Sequence, residues 1–429
     1  MLLRGGLLIE LDPPRAALAD LRLEDDSIIE RAPTLESQPG ERVIDLGGSP
    51  VLPGLVNAHT HLYSALARGM PAPTPAPRTF LQILKRVWWR LDRALDAEGV
   101  YLSGAAGAMD AAVSGTTLVI DHHASPSVIP GSLDVLRRAT EEVGLRSVLT
   151  YEVSDRNGAR GRRQGILENR RFLAAAPTPL TRGMVGAHAS FTLSERALTQ
   201  LAALVEESGA SLHIHVAEDR ADVEDCRRRY GMGLVQRLAD HGLLRPRTLF
   251  AHGVHLGPEE LERAQEGGAW FLHNPRSNMN NAVGYAPTAA FKRAALGTDG
   301  LDGDMFAEAR AAYLKMREAG RLDAMEAALT LLAGGHRLAA ALFGRPFGKL
   351  DAGGPADLVV LDYPSATPIE ASNVTAHLLF GIDRSHVRSV MVAGQWVVRE
   401  RQLLTLDVPR LLDRAREAAV RLWRRMADL

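Results

Sequence analysis

Val51-Leu52-Pro53-Gly54-Leu55-Val56-Asn57-Ala58-His59-Thr60-His61 is an apolar run that ends in two histidines one residue apart. Strand side chains alternate between faces, so His59 and His61 point the same way. Two imidazoles on one face can meet one metal ion, and histidine is the commonest protein metal ligand. If this strand belongs to a barrel of alternating strands and helices, the ion sits at the mouth, where the strand ends carry functional groups. A lone His-x-His also occurs in packed cores, so ligands elsewhere in the chain must decide between the two.

Outward from this run, apolar strand candidates alternate with helical segments over roughly 51–345. The strand candidates are Val51–Val56, Thr116–Asp121, Ser147–Tyr151, Met184–Ala187, Ser211–Val216, Thr248–His252, Trp270–Leu272 and Ala295–Thr298. One intervening helix opens at Ser194 as N-cap, with Leu198, Leu201 and Leu204 as its apolar stripe. Another opens at Pro258-Glu259-Glu260, with proline in the first turn and acids favouring the dipole. Eight strands alternating with helices predict an α/β fold, a (β/α)8 TIM-like barrel over 51–345. Residues 1–50 carry short strand patterns, and such patterns return after 346 at Ala356–Leu361, Val387–Ala393 and Gln395–Val398, with a hairpin turn at Ala393-Gly394. The segments 1–50 and 346–429 are expected to combine in one small β-sandwich domain, with a terminal helix.

Composition excludes several function classes. The chain has 50 Lys and Arg against 51 Asp and Glu, a formal net charge of −1, so no basic excess points to nucleic acid or an anionic membrane surface. No apolar run approaches the ~20 residues of a membrane span. Met1 to Gly6 shows no signal-peptide pattern, and the single cysteine, Cys226, allows no internal disulfide. A cytoplasmic protein acting on a small molecule is expected. Cys226 lies in a charged helical stretch and reads as a packing or surface thiol.

Three further stretches supply what a metal site needs, each at the end of a strand candidate. Ser211-Leu212-His213-Ile214-His215-Val216-Ala217-Glu218 places His215 near a strand terminus, with Glu218 just beyond; His213 lies deeper and reads as structural. Thr248-Leu249-Phe250-Ala251-His252 ends in another histidine, while His255 reads as structural. Gly297-Thr298-Asp299-Gly300 puts a carboxylate after the last strand, where an isolated motif would be only a turn.

The order and spacing resemble the amidohydrolase superfamily over nearly the whole chain, from the opening run to Gly353-Gly354-Pro355-Ala356-Asp357-Leu358-Val359. Within it the chain is similar to the aminohydrolase/chlorohydrolase branch. Val56 to Met70, Asp121-His122-His123-Ala124-Ser125 and His273 to Gly284 more narrowly resemble the SsnA group of aminohydrolases, which is linked to selenium metabolism. The resemblance implies one divalent ion per subunit held by His59, His61, His215 and Asp299, zinc first and ferrous iron as the alternative. Arg182 to Ser190 contains no lysine that could bridge a second ion, which favours a mononuclear site. It further implies that Asp299 accepts a proton from the attacking water, Glu218 shuttles it to a ring nitrogen and His252 orients the nucleophile. An exocyclic amine as leaving group makes the enzyme a deaminase of a nitrogen heterocycle such as a purine or pterin. Chloride would make it a chlorohydrolase, and a cyclic amide would be opened on the same site. A non-catalytic barrel scaffold would lack the ligands, and here the set is complete.

Substrate contacts are expected from His122, His123, His188, Arg276 and Asn278. Arg276 stands where close members of the SsnA group carry an acid, so their substrate does not transfer directly. Pro71 to Pro77 and the helix-like Phe80 to Trp89 form an insertion after the first strand, expected over the mouth as a lid, a subunit contact or a packed excursion. A homodimer follows by resemblance alone. Asp155 to Gln164, with Arg160, Arg162 and Arg163, reads as a solvated basic loop.

Overall fold

The opening run is cut at Gly54. Pro50–Pro53 joins the sheet built from the chain ends, and Leu55–Thr60 becomes the first barrel strand. This holds in a computed structural model that describes residues 1–429. The single strand Val51–Val56 expected from the sequence is thus two strands in two sheets. A Cβ on Gly54 would stand 2.2 Å from Oγ1 of Thr117, so the crossing point has room only for glycine.

Eight parallel strands form the barrel sheet. They are β1 (Leu55–Thr60), β2 (Thr116–His123), β3 (Arg146–Val153), β4 (Val185–Ala189), β5 (Leu212–Val216), β6 (Leu249–His252), β7 (Trp270–His273) and β8 (Ala294–Leu296). A short strand, Thr181–Gly183, leads into β4. Each neighbour pair is joined in chain order, and an isolated parallel bridge between Thr60 and Asp299 closes the ring. At this seam the His59 carbonyl accepts the amides of Thr298 and Asp299 at 2.8 and 2.9 Å. The closure therefore sets a candidate ligand of β1 beside the candidate carboxylate after β8. Helices pack between the strands as patterned. Ser194 caps Glu195–Ser208 by accepting from the Ala197 amide, and Pro258 opens Pro258–Glu266. No helix is long and apolar enough to cross a membrane.

The chain ends form one nine-stranded sheet in which Pro50–Pro53 bridges Leu2–Leu11 of the N-terminal part to Leu358–Leu361 of the C-terminal part. Leu3, Leu8, Leu21, Val51, Leu358 and Met391 share one apolar cluster. Val387–Val392 and Gln395–Arg399 form the expected hairpin, and φ is positive at both Ala393 (49°) and Gly394 (74°), as a two-residue turn between twisted strands requires. The terminal helix Val408–Ala427 buries Leu411, Ala415, Ala418 and Leu422 and reaches back to the segment before the insertion, where Trp423 Nε1 donates to the Leu66 carbonyl at 2.9 Å. The basic stretch is mostly the helix Gly158–Ala174; Arg160 and Arg163 face solvent, while Arg162 is buried and pairs with Asp155. Cys226 is buried on the helix Arg220–Tyr230 and packs in the core.

A buried ion pair ties barrel to end sheet. Arg146 at the start of β3 meets Asp357 through two hydrogen bonds, at 2.7 and 3.0 Å, and both side chains are sealed from solvent. Asp357 also accepts the Ala393 amide at 2.7 Å. Removing the carboxylate leaves a buried guanidinium unpaired, which costs about 3–5 kcal/mol. Asp357→Ala is expected to lose stability on that scale in chemical denaturation, and a loss below about 1 kcal/mol would show that the pair does not clamp the two sheets.

Candidate metal centre and pocket

Three non-glycine residues at the barrel mouth have left-handed backbone: Ala217 (φ 49°), His252 (φ 75°) and Asp299 (φ 55°). Such conformations cost about 1–3 kcal/mol each and persist where the surroundings over-determine them. Here they turn the chain at the ends of β5, β6 and β8, and with it Glu218, His252 and Asp299.

The imidazoles are held by their far nitrogens. His61 Nδ1 donates to the His122 carbonyl at 2.6 Å, and His215 Nδ1 to the His188 carbonyl at 2.9 Å. Both Nε2 atoms therefore face each other, at 3.2 Å. His59 Nδ1 lies 2.9 Å from Nε2 of His213, so the deeper histidine of β5 orients the ring of β1. His59 Nε2 and His61 Nε2 then stand 3.5 and 3.0 Å from Asp299 Oδ1. The structure thus brings His59, His61, His215 and Asp299 together. Donor atoms of His59, His215, His252 and Asp299 all lie within 4.8 Å of one another. Buried Nε2 of His59 and of His252 have no hydrogen-bond partner. Orphaned imidazole nitrogens around one carboxylate are a donor set that fits a divalent ion such as zinc.

Glu218 and His252 sit at the edge of this cluster. His252 Nδ1 bonds Asn278 Oδ1 at 2.9 Å, which aims Nε2 at Glu218 Oε2, 3.5 Å away, and at Asp299 Oδ2, 3.9 Å away. Asn281 donates to Glu218 Oε1 at 3.3 Å, and Ser277 donates to Asp299 Oδ2. Burial, reinforced by the Asp299 charge, pushes the Glu218 carboxyl well above the ordinary range. Burial opposes ionisation of Asp299 too, yet His59 and His61 outweigh it and hold that carboxyl well below the ordinary range. Two neighbouring carboxyls are thereby split into one that can carry a proton at rest and one that rests charged and can accept one.

A pocket opens directly over these groups. His61, His215, Glu218 and Asp299 line its base, and Phe80, Leu84, Trp88 and Trp89 of the insertion line its wall. The insertion is helical over Phe80–Ile83, Leu84–Trp88 (a π turn) and Trp89–Ala94, and it covers the mouth in this chain.

The expected substrate contacts divide. His188 lines the pocket, its Nδ1 bonded to Thr192 Oγ1 at 2.8 Å. The other four do not reach it. His122 is packed beneath the mouth, its ring 4.5 Å from that of His213 and 4.7 Å from that of His215. His123 bonds Ser125 Oγ at 2.8 Å in the interior. Arg276 is committed to Glu308 and to Asp302, the latter at 2.8 Å. Asn278 is spent on His252. His255 is structural as expected, bonding the Val283 carbonyl at 2.7 Å.

Sequence reading passed over Ser277, Asn281, Trp89, Asp92 and Glu152, all of which line the pocket. Glu152 was within reach, since a carboxylate at the end of a barrel strand reads as functional. Burial lifts its carboxyl to about 7, against the opposing pull of Arg156. Ser277 and Asn281 lie one helical turn apart on Pro275–Asn280 and its cap, a spacing that puts both on one face. Nothing in the pattern marks Trp89 or Asp92.

The amidohydrolase family model matches residues 51–397. A 5-methylthioadenosine/S-adenosylhomocysteine deaminase of Desulforudis audaxviator is 32% identical over 94% of this chain and 94% of its own length. A 5'-deoxyadenosine deaminase of Methanopyrus kandleri is 30% identical over 97% of this chain and 95% of its own. A zinc-bound adenosine deaminase structure from Xanthomonas campestris aligns with TM-score 0.85 at 24% identity, covering 98% of both chains. A zinc-bound atrazine chlorohydrolase from Arthrobacter aurescens aligns with TM-score 0.83 at 21% identity, covering 97% of this chain and 99% of its own. At those identities the two structures speak for the fold. A family model spanning both the barrel and the returning sheet, with relatives at 30% identity or more along almost the entire chain, places the protein in the amidohydrolase family.

Proposed function

We propose that the protein is a zinc-dependent aminohydrolase that removes the amino group of a nitrogen heterocycle, an adenine nucleoside or related purine in the first instance. His59, His61, His215 and Asp299 would hold the ion; ferrous iron suits the same donors. When bound, such an ion would lower the pKa of its coordinated water to near neutral and so make the attacking nucleophile available. Asp299, charged and beside the ligand nitrogens, is positioned to take up the proton that water loses. Glu218, whose environment lets it carry a proton at neutral pH, would deliver one to the ring nitrogen and then assist the leaving amine. His252 is fixed by Asn278 to direct Nε2 at the same space and to stabilise charge developing there. The observation that carries the reading is Glu218 and Asp299, both facing His252 Nε2, at the base of an aromatic-walled pocket that suits a flat ring. The deaminase names of relatives at about 30% identity support the choice of leaving group. A small-molecule substrate and, by family likeness, a homodimeric cytoplasmic enzyme belong to the same proposal.

Incubating the zinc-loaded enzyme with adenosine, 5'-deoxyadenosine, 5'-methylthioadenosine, guanine and pterin is expected to release ammonia from at least one. Chloride release from chlorinated rings without ammonia from any amine would move the protein to halide hydrolysis.

A further inference from the structure

Ser277, Asn278 and Asn281 each touch a different group of the proposed site. Ser277 Oγ donates to Asp299 Oδ2, Asn278 Oδ1 bonds His252 Nδ1 at 2.9 Å, and Asn281 Nδ2 donates to Glu218 Oε1 at 3.3 Å. All three belong to one short helix after β7, Pro275–Asn280, and its C-cap. Successive helical residues are turned by about 100°, so the three share an arc of roughly 100°, and Arg276 falls on the opposite side of the same turn. A helix of six residues does not hold itself, and its place is set by what it is tied to. Asn274 at its N-cap makes no side-chain cap bond. Glu308, on the helix Met305–Glu318, takes that part from outside: Oε1 accepts the Arg276 amide at 3.0 Å, and Oε2 accepts Arg276 Nε. The far end of the guanidinium reaches the loop that follows Asp299. Nη1 donates to Asp302 Oδ1 at 2.8 Å, and Nη2 to the Asp302 carbonyl at 3.1 Å. Glu308 is fully buried, and its one ion-pair partner is Arg276.

Resting on the reading of Glu218, His252 and Asp299 as working groups of the site, we infer that Arg276 is a positioning residue, which clamps the Ser277–Asn281 turn to the Asp299 loop and so fixes all three groups through one side chain. Arg276 does not line the pocket, so its effect runs through the helix alone. Without the clamp the helix is free to turn about its own axis, and its three hydrogen bonds into the site move together. A misplacement of about 1 Å in such a shell costs on the order of 100-fold in rate.

The test compares Arg276→Met with the native protein, each loaded with zinc for assay and with cobalt(II) for spectroscopy. Zinc affinity, measured by competition with a chelator, is expected to fall about 10- to 100-fold. The visible absorption of bound cobalt(II) is expected to shift, because its bands report the arrangement of the ligands and Asp299 is one of them. On a substrate that releases ammonia, kcat is expected to fall about 10- to 100-fold while KM stays within about 3-fold. Arg276→Lys keeps a charge for Glu308 and lacks the fork that also reaches Asp302, so it is expected to recover only part of each loss. Circular dichroism checks folding. Should Arg276→Met fail to fold because Glu308 is left buried and unpaired, Arg276→Met/Glu308→Gln carries the test, since glutamine gives up the charge and still accepts the Arg276 amide. An unshifted cobalt spectrum with native zinc affinity, whatever the loss of stability, overturns the positioning role. A shifted spectrum with no ammonia from any amine in the native enzyme leaves the role standing and sinks the deaminase reading. Ammonia release at native kcat with an unshifted spectrum does the reverse, and failure of the native protein to bind either ion overturns both.

Discussion

Glu218→Gln is expected to lower turnover by roughly 10²–10⁴-fold, the range of a lost general acid–base, while the zinc content stays at about one per chain. The substitution keeps shape and volume. The 3.3 Å bond from Asn281 can still be accepted by a glutamine oxygen, and the other direct contact, His252 Nε2 at 3.5 Å, is longer than a hydrogen bond normally runs. What disappears is a group able to take up and release a proton. The surroundings suit Glu218 to that role, because burial and the Asp299 charge both resist its ionisation. Since Glu218 lies outside the group of four donors, metal analysis separates a lost proton carrier from a lost ligand. Binding of an unreactive ring analogue should survive, so the effect falls on kcat more than on KM. Turnover within a factor of about two of the native enzyme would remove Glu218 from the proposed chemistry.

Much of the fold was legible because the sequence repeats one device. Each barrel strand is a short apolar run, buried on both sides, that stops at a polar or glycine-rich turn. That pattern located seven of the eight strands and ran the first together with a strand of the end sheet, and the residues just past the runs located the cluster. Two features were not legible for physical reasons. The change of sheet at Gly54 depends on the side chain of Thr117, which no local pattern reveals. The left-handed turns at Ala217, His252 and Asp299 are a minority conformation for any residue but glycine, least so for aspartate and histidine, and no local pattern announces them. Substrate contacts fared differently from ligands. A ligand is named by its place on a strand, whereas His122 and His123 share one strand end with opposite side-chain directions, and neither reaches the pocket. Arg276, which looked like a free cation beside the site, is held by two acids from elsewhere in the chain. The insertion supplied most of the aromatic wall, and its helical pattern gave no sign of which face would look down.

Asp299→Asn is expected to abolish measurable activity, a fall of at least about 10³-fold, and to leave most of the protein without metal after dialysis against a weak chelator. Asparagine is the informative substitution because it tolerates the positive φ that Asp299 adopts, whereas alanine would add backbone strain to the loss of charge. The barrel seam should survive, since its hydrogen bonds there run through the backbone. The charge also has a signature in the pH dependence of metal binding. Burial lowers the basicity of His61, but Asp299 outweighs it and lifts that imidazole to about 9. In chelator-stripped native protein His61 therefore holds a proton at neutral pH, which an incoming ion must displace, so affinity climbs as pH rises towards that value. Without the carboxylate the strongest counterweight to burial is gone and the His61 pKa falls, although the Glu152 charge and the His122 carbonyl still raise it, so the climb should move to lower pH even as the overall affinity drops. Weaker binding with an unshifted pH profile would mean that Asp299 does not set the His61 charge. Full metal content and native turnover in Asp299→Asn would remove the carboxylate from the proposed site altogether.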